Sequence, residues 1–224
     1  PIIALSLGWL FWQDGYAMET KQAITAFKHE GLLNVIQLQN GIHATLFLIG
    51  AAAFWFGCSN VAREIVCDVP VYKRERRGTV GAFAYLFSIY SYQFILVAIQ
   101  TLFLTVIVWF MLELTASLIL GWGILLCVSL CGVSLGLMIS AYSKTEIAAI
   151  SIVPLILLPQ LLFGGFIKLY GSLVTNGFQS NLADLMPLRW AFEALALLEY
   201  NSLQQVNEHV RDIENVIGFS NTSP

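Results

Sequence analysis

The sequence predicts an all-α protein that crosses a membrane several times, and its composition and charge pattern support this fold class. Of the 224 residues, 58% are hydrophobic and only 11% are charged, and the mean hydropathy is +0.75. A soluble domain has about a quarter of its residues charged. Long uncharged runs follow one another along the chain, so we predict that these runs are surrounded by lipid and not by water.

The spans can be located because a helix needs about 20 apolar residues to cross the hydrocarbon core. Residues 1–12 are expected to be the end of a first span. The second to fifth spans are predicted at residues 44–62, 79–112, 114–143 and 147–168. The third run is longer than one crossing, so its first turns are expected along the cytoplasmic interface, with Tyr85, Tyr90 and Tyr92 near the headgroups.

The orientation follows from one short basic loop at residues 63–78, which contains Arg63, Lys73, Arg74, Arg76 and Arg77. Short basic loops stay in the cytoplasm. Residues 13–43 are then external, and so are residues 169–224, after the fifth span. The third and fourth spans form a hairpin whose turn is external.

The fifth predicted span contains two prolines, Pro154 and Pro159, and then the glycines Gly164 and Gly165. Proline removes a backbone donor and clashes with the preceding helical turn. Within a membrane this is tolerated where neighbours or water satisfy the freed carbonyls. The pattern predicts a span broken twice that faces a cavity or a partner, with a kinked packing helix as the alternative.

Small residues in the fourth span predict close helix packing. Gly132 and Gly136 are four residues apart, a spacing that lets two helices approach closely. Cys127 and Cys131 have the same spacing and share one helix face. Because free cysteine behaves as a small buried hydrophobe, both are expected in the core. The cysteines and histidines show no metal-binding pattern.

The sequence lacks the patterns of several function classes. It has no glycine-rich phosphate loop and no Ser/His/Asp constellation, so we expect no catalytic site on this segment. Between residues 44 and 167, no charged residue or histidine falls within a predicted crossing. Proton-driven pumps and voltage sensors place such groups inside the membrane. Energy for transport would therefore arrive from outside it. The apolar flanks of the basic cluster argue against nucleic-acid binding.

The charged stretch between the second and third spans carries both signs. Arg63, Glu64, Asp68, Glu75 and Arg76 lie at helical spacings, which favours a short helix that pairs with a cytoplasmic partner and passes on its movement. A topology anchor on anionic lipid is the alternative, worth about 1 kcal/mol per basic residue. The anchor would explain the basic residues but not the acids among them.

The strings GCSNVAREI and VYKRER in this stretch resemble the first intracellular loop of the G-type (White) subfamily of ATP-binding-cassette exporters. The similarity is greatest to bacterial members with an ABC-2 type membrane domain. It extends over residues 1–200 and includes VWFMLEL in the third span, LPQLLFGGF in the fifth and MPLRWAFEAL beyond it.

The resemblance implies a six-helix half-transporter that forms a homodimer in the bacterial inner membrane. A nucleotide-binding domain, with its ATP and Mg, would precede the membrane domain on the same chain. Most of the first helix would lie upstream of Pro1 and the sixth beyond Pro224. The second and fifth helices of two halves would enclose a central cavity. Animal members have external cysteines that this chain lacks, which favours a bacterial protein.

The same resemblance implies three groups of site residues. Glu64 matches the family's acid at the base of the second helix, and Glu75 matches the acid of the loop. The coupling residues would be Arg63, Glu64, Asp68, Arg74, Glu75 and Arg76. The substrate cavity would be lined by Phe54, Phe56, Gly57, Leu158 and Leu161. An apolar outer gate would consist of Phe166 and Ile167.

The sequence therefore predicts the membrane domain of an ATP-driven exporter that moves an apolar or amphipathic substrate, lipid-like or drug-like. A gradient-driven carrier or channel is one alternative, which the lack of charge within the spans disfavours. A non-transporting scaffold is the other, which the interrupted fifth span disfavours.

Overall fold

The computed structural model describes residues 32–75, 81–112, 114–164 and 177–217, and these residues form helices without any strand. Within them, seven helices follow one another: α1 (Leu32–Val61), α2 (Glu64–Glu75), α3 (Ala82–Leu112), α4 (Leu118–Tyr142), α5 (Glu146–Phe163), α6 (Gly177–Asp184) and α7 (Pro187–Ile217).

Four helical segments are long and apolar enough to cross a membrane: His43–Val69, Ala82–Leu112, Leu118–Tyr142 and Glu146–Phe163. They correspond to the predicted second to fifth spans, which confirms the all-α polytopic fold. The predicted first span, residues 1–12, lies outside the described residues. Helix α3 has 31 residues and is about 46 Å long, so it exceeds a single crossing of the hydrocarbon core.

Glycines bring α1 and α4 into close contact at the centre of the bundle. A Cβ atom added at Gly132 would overlap the backbone of Phe54, and one at Gly136 would lie 2.5 Å from the Cys58 carbonyl oxygen. On the other helix, a Cβ at Gly57 would overlap the backbone of Ser129. The predicted close approach through Gly132 and Gly136 is confirmed, and Gly57 contributes to it from α1.

Helix α5 is continuous through Pro154 and Pro159. The prediction that they break the span is therefore wrong, because each proline removes one hydrogen bond and the remaining bonds of the helix persist. One narrow stripe of α5 is buried, formed by Ala149, Val153, Leu157 and Gln160. Most of its other side chains are exposed, including Leu155 and Leu158.

Cys127 and Cys131 share a face of α4, as predicted, but both are exposed. The expectation that they lie in the core is wrong. The face of α4 that packs in the core is formed by residues such as Leu125, Val128 and Gly132, and the two cysteines project away from it.

The beginning of helix α7 packs into the bundle rather than lying flat on a membrane. Helix α7 begins at Pro187, a residue type suited to the first helical turn, and it buries Leu188, Ala191 and Leu195. The ring of Phe192 makes an edge contact with Phe47 of α1, at 5.6 Å between centroids. These contacts fix the first three turns of α7 against α1.

Candidate functional site

Helix α2 covers residues 64–75 of the segment predicted to be the coupling loop, and it follows α1 after a two-residue turn at Ala62 and Arg63. The Cys67 amide donates to the Arg63 carbonyl oxygen at 3.0 Å, so the helical hydrogen bonds of α2 begin directly at that turn. Only two residues therefore separate α2 from the end of α1.

Three hydrogen bonds join α1 and α2 to α3, and we call these pairs the polar ladder. The Asn60 amide nitrogen donates to Gln100 Oε1 at 2.8 Å. The Gln93 amide nitrogen donates to Glu64 Oε1 at 3.5 Å. The Tyr85 hydroxyl donates to Asp68 Oδ2 at 3.2 Å.

The spacing of these residues explains why they meet. Asn60, Glu64 and Asp68 are four apart, which keeps them on nearly one face where helical geometry holds. Their partners on α3 are separated by eight and seven residues, close to two helical turns each, so they also share one face. The ladder therefore follows the seam between the two elements.

The middle pair of the ladder is the weakest. Gln93 is only 1% exposed, and its Oε1 has no hydrogen-bond partner among the described residues. An unsatisfied buried acceptor costs about 1–3 kcal/mol, and a donor–acceptor distance of 3.5 Å is at the limit of a hydrogen bond. Gln93 is thus held beside Glu64 by packing more than by its hydrogen bonds.

Helix α2 also contacts the two following spans. The Val66 amide donates to Ser140 Oγ near the end of α4, at 3.1 Å. Cys67 lies beside Glu146, the first residue of α5. One short charged helix therefore touches the ends of three spans.

The structure brings two of the six predicted coupling residues, Glu64 and Asp68, to α3. Arg63 is exposed at the turn before α2. Arg74 and Glu75 occupy the last turn of α2, and Arg76 lies outside the described residues. The partners on α3 were missed by sequence reasoning, although Gln93 and Gln100, seven residues apart in an apolar run, carry a signal that could have revealed them.

The five predicted cavity residues do not form one wall in the described chain. Phe54 has no exposed surface, and Gly57 packs against α4. Phe56 and Leu161 are partly buried against the core, whereas Leu158 is 55% exposed. On α1, the exposed side chain is that of Trp55, the neighbour of the buried Phe54.

The predicted outer gate, Phe166 and Ile167, lies outside the described residues. Just before it, α5 ends at Phe163. At Gly164 an added Cβ would lie 2.6 Å from the Phe47 ring, so the end of α5 is tightly packed against α1.

Comparison with known proteins agrees with this architecture. The family model for the ABC-2 type transporter matches residues 2–200. None of the curated proteins matches the chain significantly, and neither does any solved structure. The match covers most of the sequence and all four described candidate spans. The chain therefore belongs to the ABC-2 type transporter family, whose multi-pass membrane domains act in transport with an ATP-binding-cassette partner.

Proposed function

We propose that this chain is the membrane domain of an ATP-driven exporter and that α2 is its coupling helix. The observation that carries the proposal is the polar ladder, because Glu64 and Asp68 engage α3 through hydrogen bonds. A mere lipid anchor would present basic side chains to the headgroups and would have no use for these acids.

In this proposal, ATP and Mg are bound by a nucleotide-binding domain at the cytoplasmic face. Its closure displaces α2 through the exposed Arg63 in the turn before that helix and through the last turn of the helix, which contains Arg74 and Glu75. The ladder passes the displacement to α3, and the Val66–Ser140 hydrogen bond passes it to α4. Glu64 and Asp68 thereby act as attachment points inside the membrane domain.

The exported substrate is proposed to be apolar or amphipathic. Trp55 on α1 is 43% exposed and Leu158 on α5 is 55% exposed, so both can line a cavity when two copies assemble as a homodimer. Cavities lined by apolar and aromatic side chains accept such molecules.

Among the described residues no cluster of His, Cys, Asp and Glu could hold a metal ion. A bacterial inner membrane is the proposed location.

Transport by the full-length protein in proteoliposomes tests the proposal. ATP should drive uptake of a fluorescent amphipathic probe into proteoliposomes in which the protein is oriented inside out. Tyr85→Phe should lower transport per ATP hydrolysed, because it removes only the hydroxyl that binds Asp68. Tyr92→Phe is the matched control, since Tyr92 lies on the same helix and is 62% exposed.

Two results would oppose the proposal. Absence of ATP-dependent transport in the wild-type protein would remove the exporter function. Equal transport per ATP in Tyr85→Phe and Tyr92→Phe would show that the ladder does not couple.

A further inference from the structure

At the end of the bundle opposite α2, a buried carboxylate holds the turn between α3 and α4. Glu199 of α7 is 6% exposed. Its Oε1 accepts from the Thr115 amide at 3.2 Å and from the Thr115 hydroxyl at 2.9 Å. Its Oε2 accepts from the Ala116 amide at 3.1 Å. Hydrogen bonds to an ionised acceptor are about twice as strong as neutral ones.

Glu199 thereby satisfies two backbone donors of the turn, the Thr115 and Ala116 amides. Ser117, the next residue, precedes α4 and makes no side-chain capping hydrogen bond. A carboxylate also interacts favourably with the N-terminal end of a helix dipole. From the other side, the Trp109 indole donates to the Ala116 carbonyl oxygen at 2.8 Å.

The first turn of α7 is attached to a different span. The Leu188 amide donates to Gln160 Oε1 of α5 at 3.3 Å. Gln160 is 4% exposed and Leu188 has no exposed surface, so this contact is inside the bundle. Residues 187–199 of α7, here called the strut, therefore connect α5 at one end to the α3–α4 turn at the other.

We propose that Glu199 is a positioning residue for transport, an inference that rests on the proposed function. By holding the strut to the α3–α4 turn, it makes α5 follow the movement that α3 receives from the polar ladder. Helix α5 is largely exposed, with 22% of its span buried. Besides its contacts with α1, α2 and α4, the strut gives it a hydrogen-bonded link to the α3–α4 turn.

The test is Glu199→Gln in the full-length protein. Glutamine keeps one carbonyl oxygen but turns an amide donor towards a donor of the turn, so transport per ATP hydrolysed should fall about tenfold, as expected for loss of a charged hydrogen bond. Thr115→Val, which removes one of the three bonds, should give a smaller loss. Glu193→Gln is the matched control, since it removes a half-exposed carboxylate from the same helix and should have little effect.

A double variant distinguishes transmission from a loss of folding. Gln160→Leu removes the other end of the strut, so Glu199→Gln combined with Gln160→Leu should transport no worse than the more impaired single variant. Independent structural defects would instead add. Additive losses, or transport per ATP in Glu199→Gln at the wild-type level, would overturn the proposal.

Amide hydrogen exchange separates this inference from the exporter function. Exchange at Thr115 and Ala116 should accelerate in Glu199→Gln but not in Glu193→Gln, whether or not the protein transports the probe. Unchanged exchange would mean that Glu199 does not hold the turn, and the strut would then be rejected. Lack of ATP-driven transport in the wild-type protein would contradict the proposed function alone.

Discussion

The Tyr85 hydroxyl donates a hydrogen bond to Asp68 Oδ2 at 3.2 Å and thereby joins the start of α3 to the middle of α2. The two residues are 17 positions apart along the chain. This contact places an acid of the charged stretch against a membrane helix, although its charge pattern alone suggested a cytoplasmic partner.

The pair Asn60–Gln100 should matter more for transport than for stability. Hydrogen bonds between membrane helices contribute about 0.6 kcal/mol on average, so Gln100→Leu should change the free energy of unfolding only slightly. Transport per ATP should fall several-fold, because the ladder loses its shortest hydrogen bond. Unfolding in detergent and transport in liposomes measure the two effects. A large loss of stability with normal transport would contradict the prediction.

The contact between α1 and α4 should not tolerate even a methyl group. Gly132→Ala should destabilise the protein by about 1–3 kcal/mol, the usual cost of overpacking, because the new Cβ would overlap the Phe54 backbone. Gly123→Ala is the matched control on the same helix, since no atom lies within 4 Å of its added Cβ. Thermal unfolding of both variants checks this; equal melting temperatures would show that the helices can separate.

Glu75→Ala should impair transport far more than it impairs expression or nucleotide binding. Glu75 is the last residue of α2, at the end that is proposed to meet the nucleotide-binding domain. The measurements are protein yield, ATP affinity and transport by the full-length protein. Normal transport in this variant would make Glu75 a surface charge without a role in coupling.

Phe166 and Ile167 are predicted to close the outer exit. Replacing both with Ala should raise substrate leak or change the basal ATPase rate, because bulky apolar side chains exclude water from a constriction. Leu155→Ala is the control, since Leu155 is an exposed apolar side chain of α5. If the double variant has the leak and ATPase rate of this control, the two residues merely face lipid.

Local patterns predicted much of the fold. Uncharged runs located the four described spans, because burying a charge in lipid is costly and charged residues are therefore rare within a span. The spacing of Gly132 and Gly136 predicted close packing, since small residues remove the obstacle to it. The exposure of Cys127 and Cys131 was not predictable in this way, because it depends on which face of α4 meets α1.

The candidate site was predicted only in part. Glu64 and Asp68 were identified from their charge, but their partners on α3 required knowledge of how two distant helices are oriented. Glu199 was missed for the same reason, since its donors in the α3–α4 turn are more than 80 positions away. Hydrogen bonds between distant elements depend on three-dimensional packing, which local spacing does not encode.

Pulsed electron spin resonance can measure whether α2 and α3 move together. In the full-length protein, spin labels are placed on Cys67 and on Phe87→Cys, both exposed. All other cysteines are replaced, and labelled protomers are diluted with unlabelled ones. Undiluted protein labelled only at Cys67 reports the distance between the α2 helices of the two protomers, and so whether it changes when ATP binds. If the polar ladder couples the two helices, ATP binding should change the distance between the Cys67 labels of the two protomers while the distance from Cys67 to residue 87 stays constant. A shift of the latter by about 5 Å, one helical turn, would contradict it.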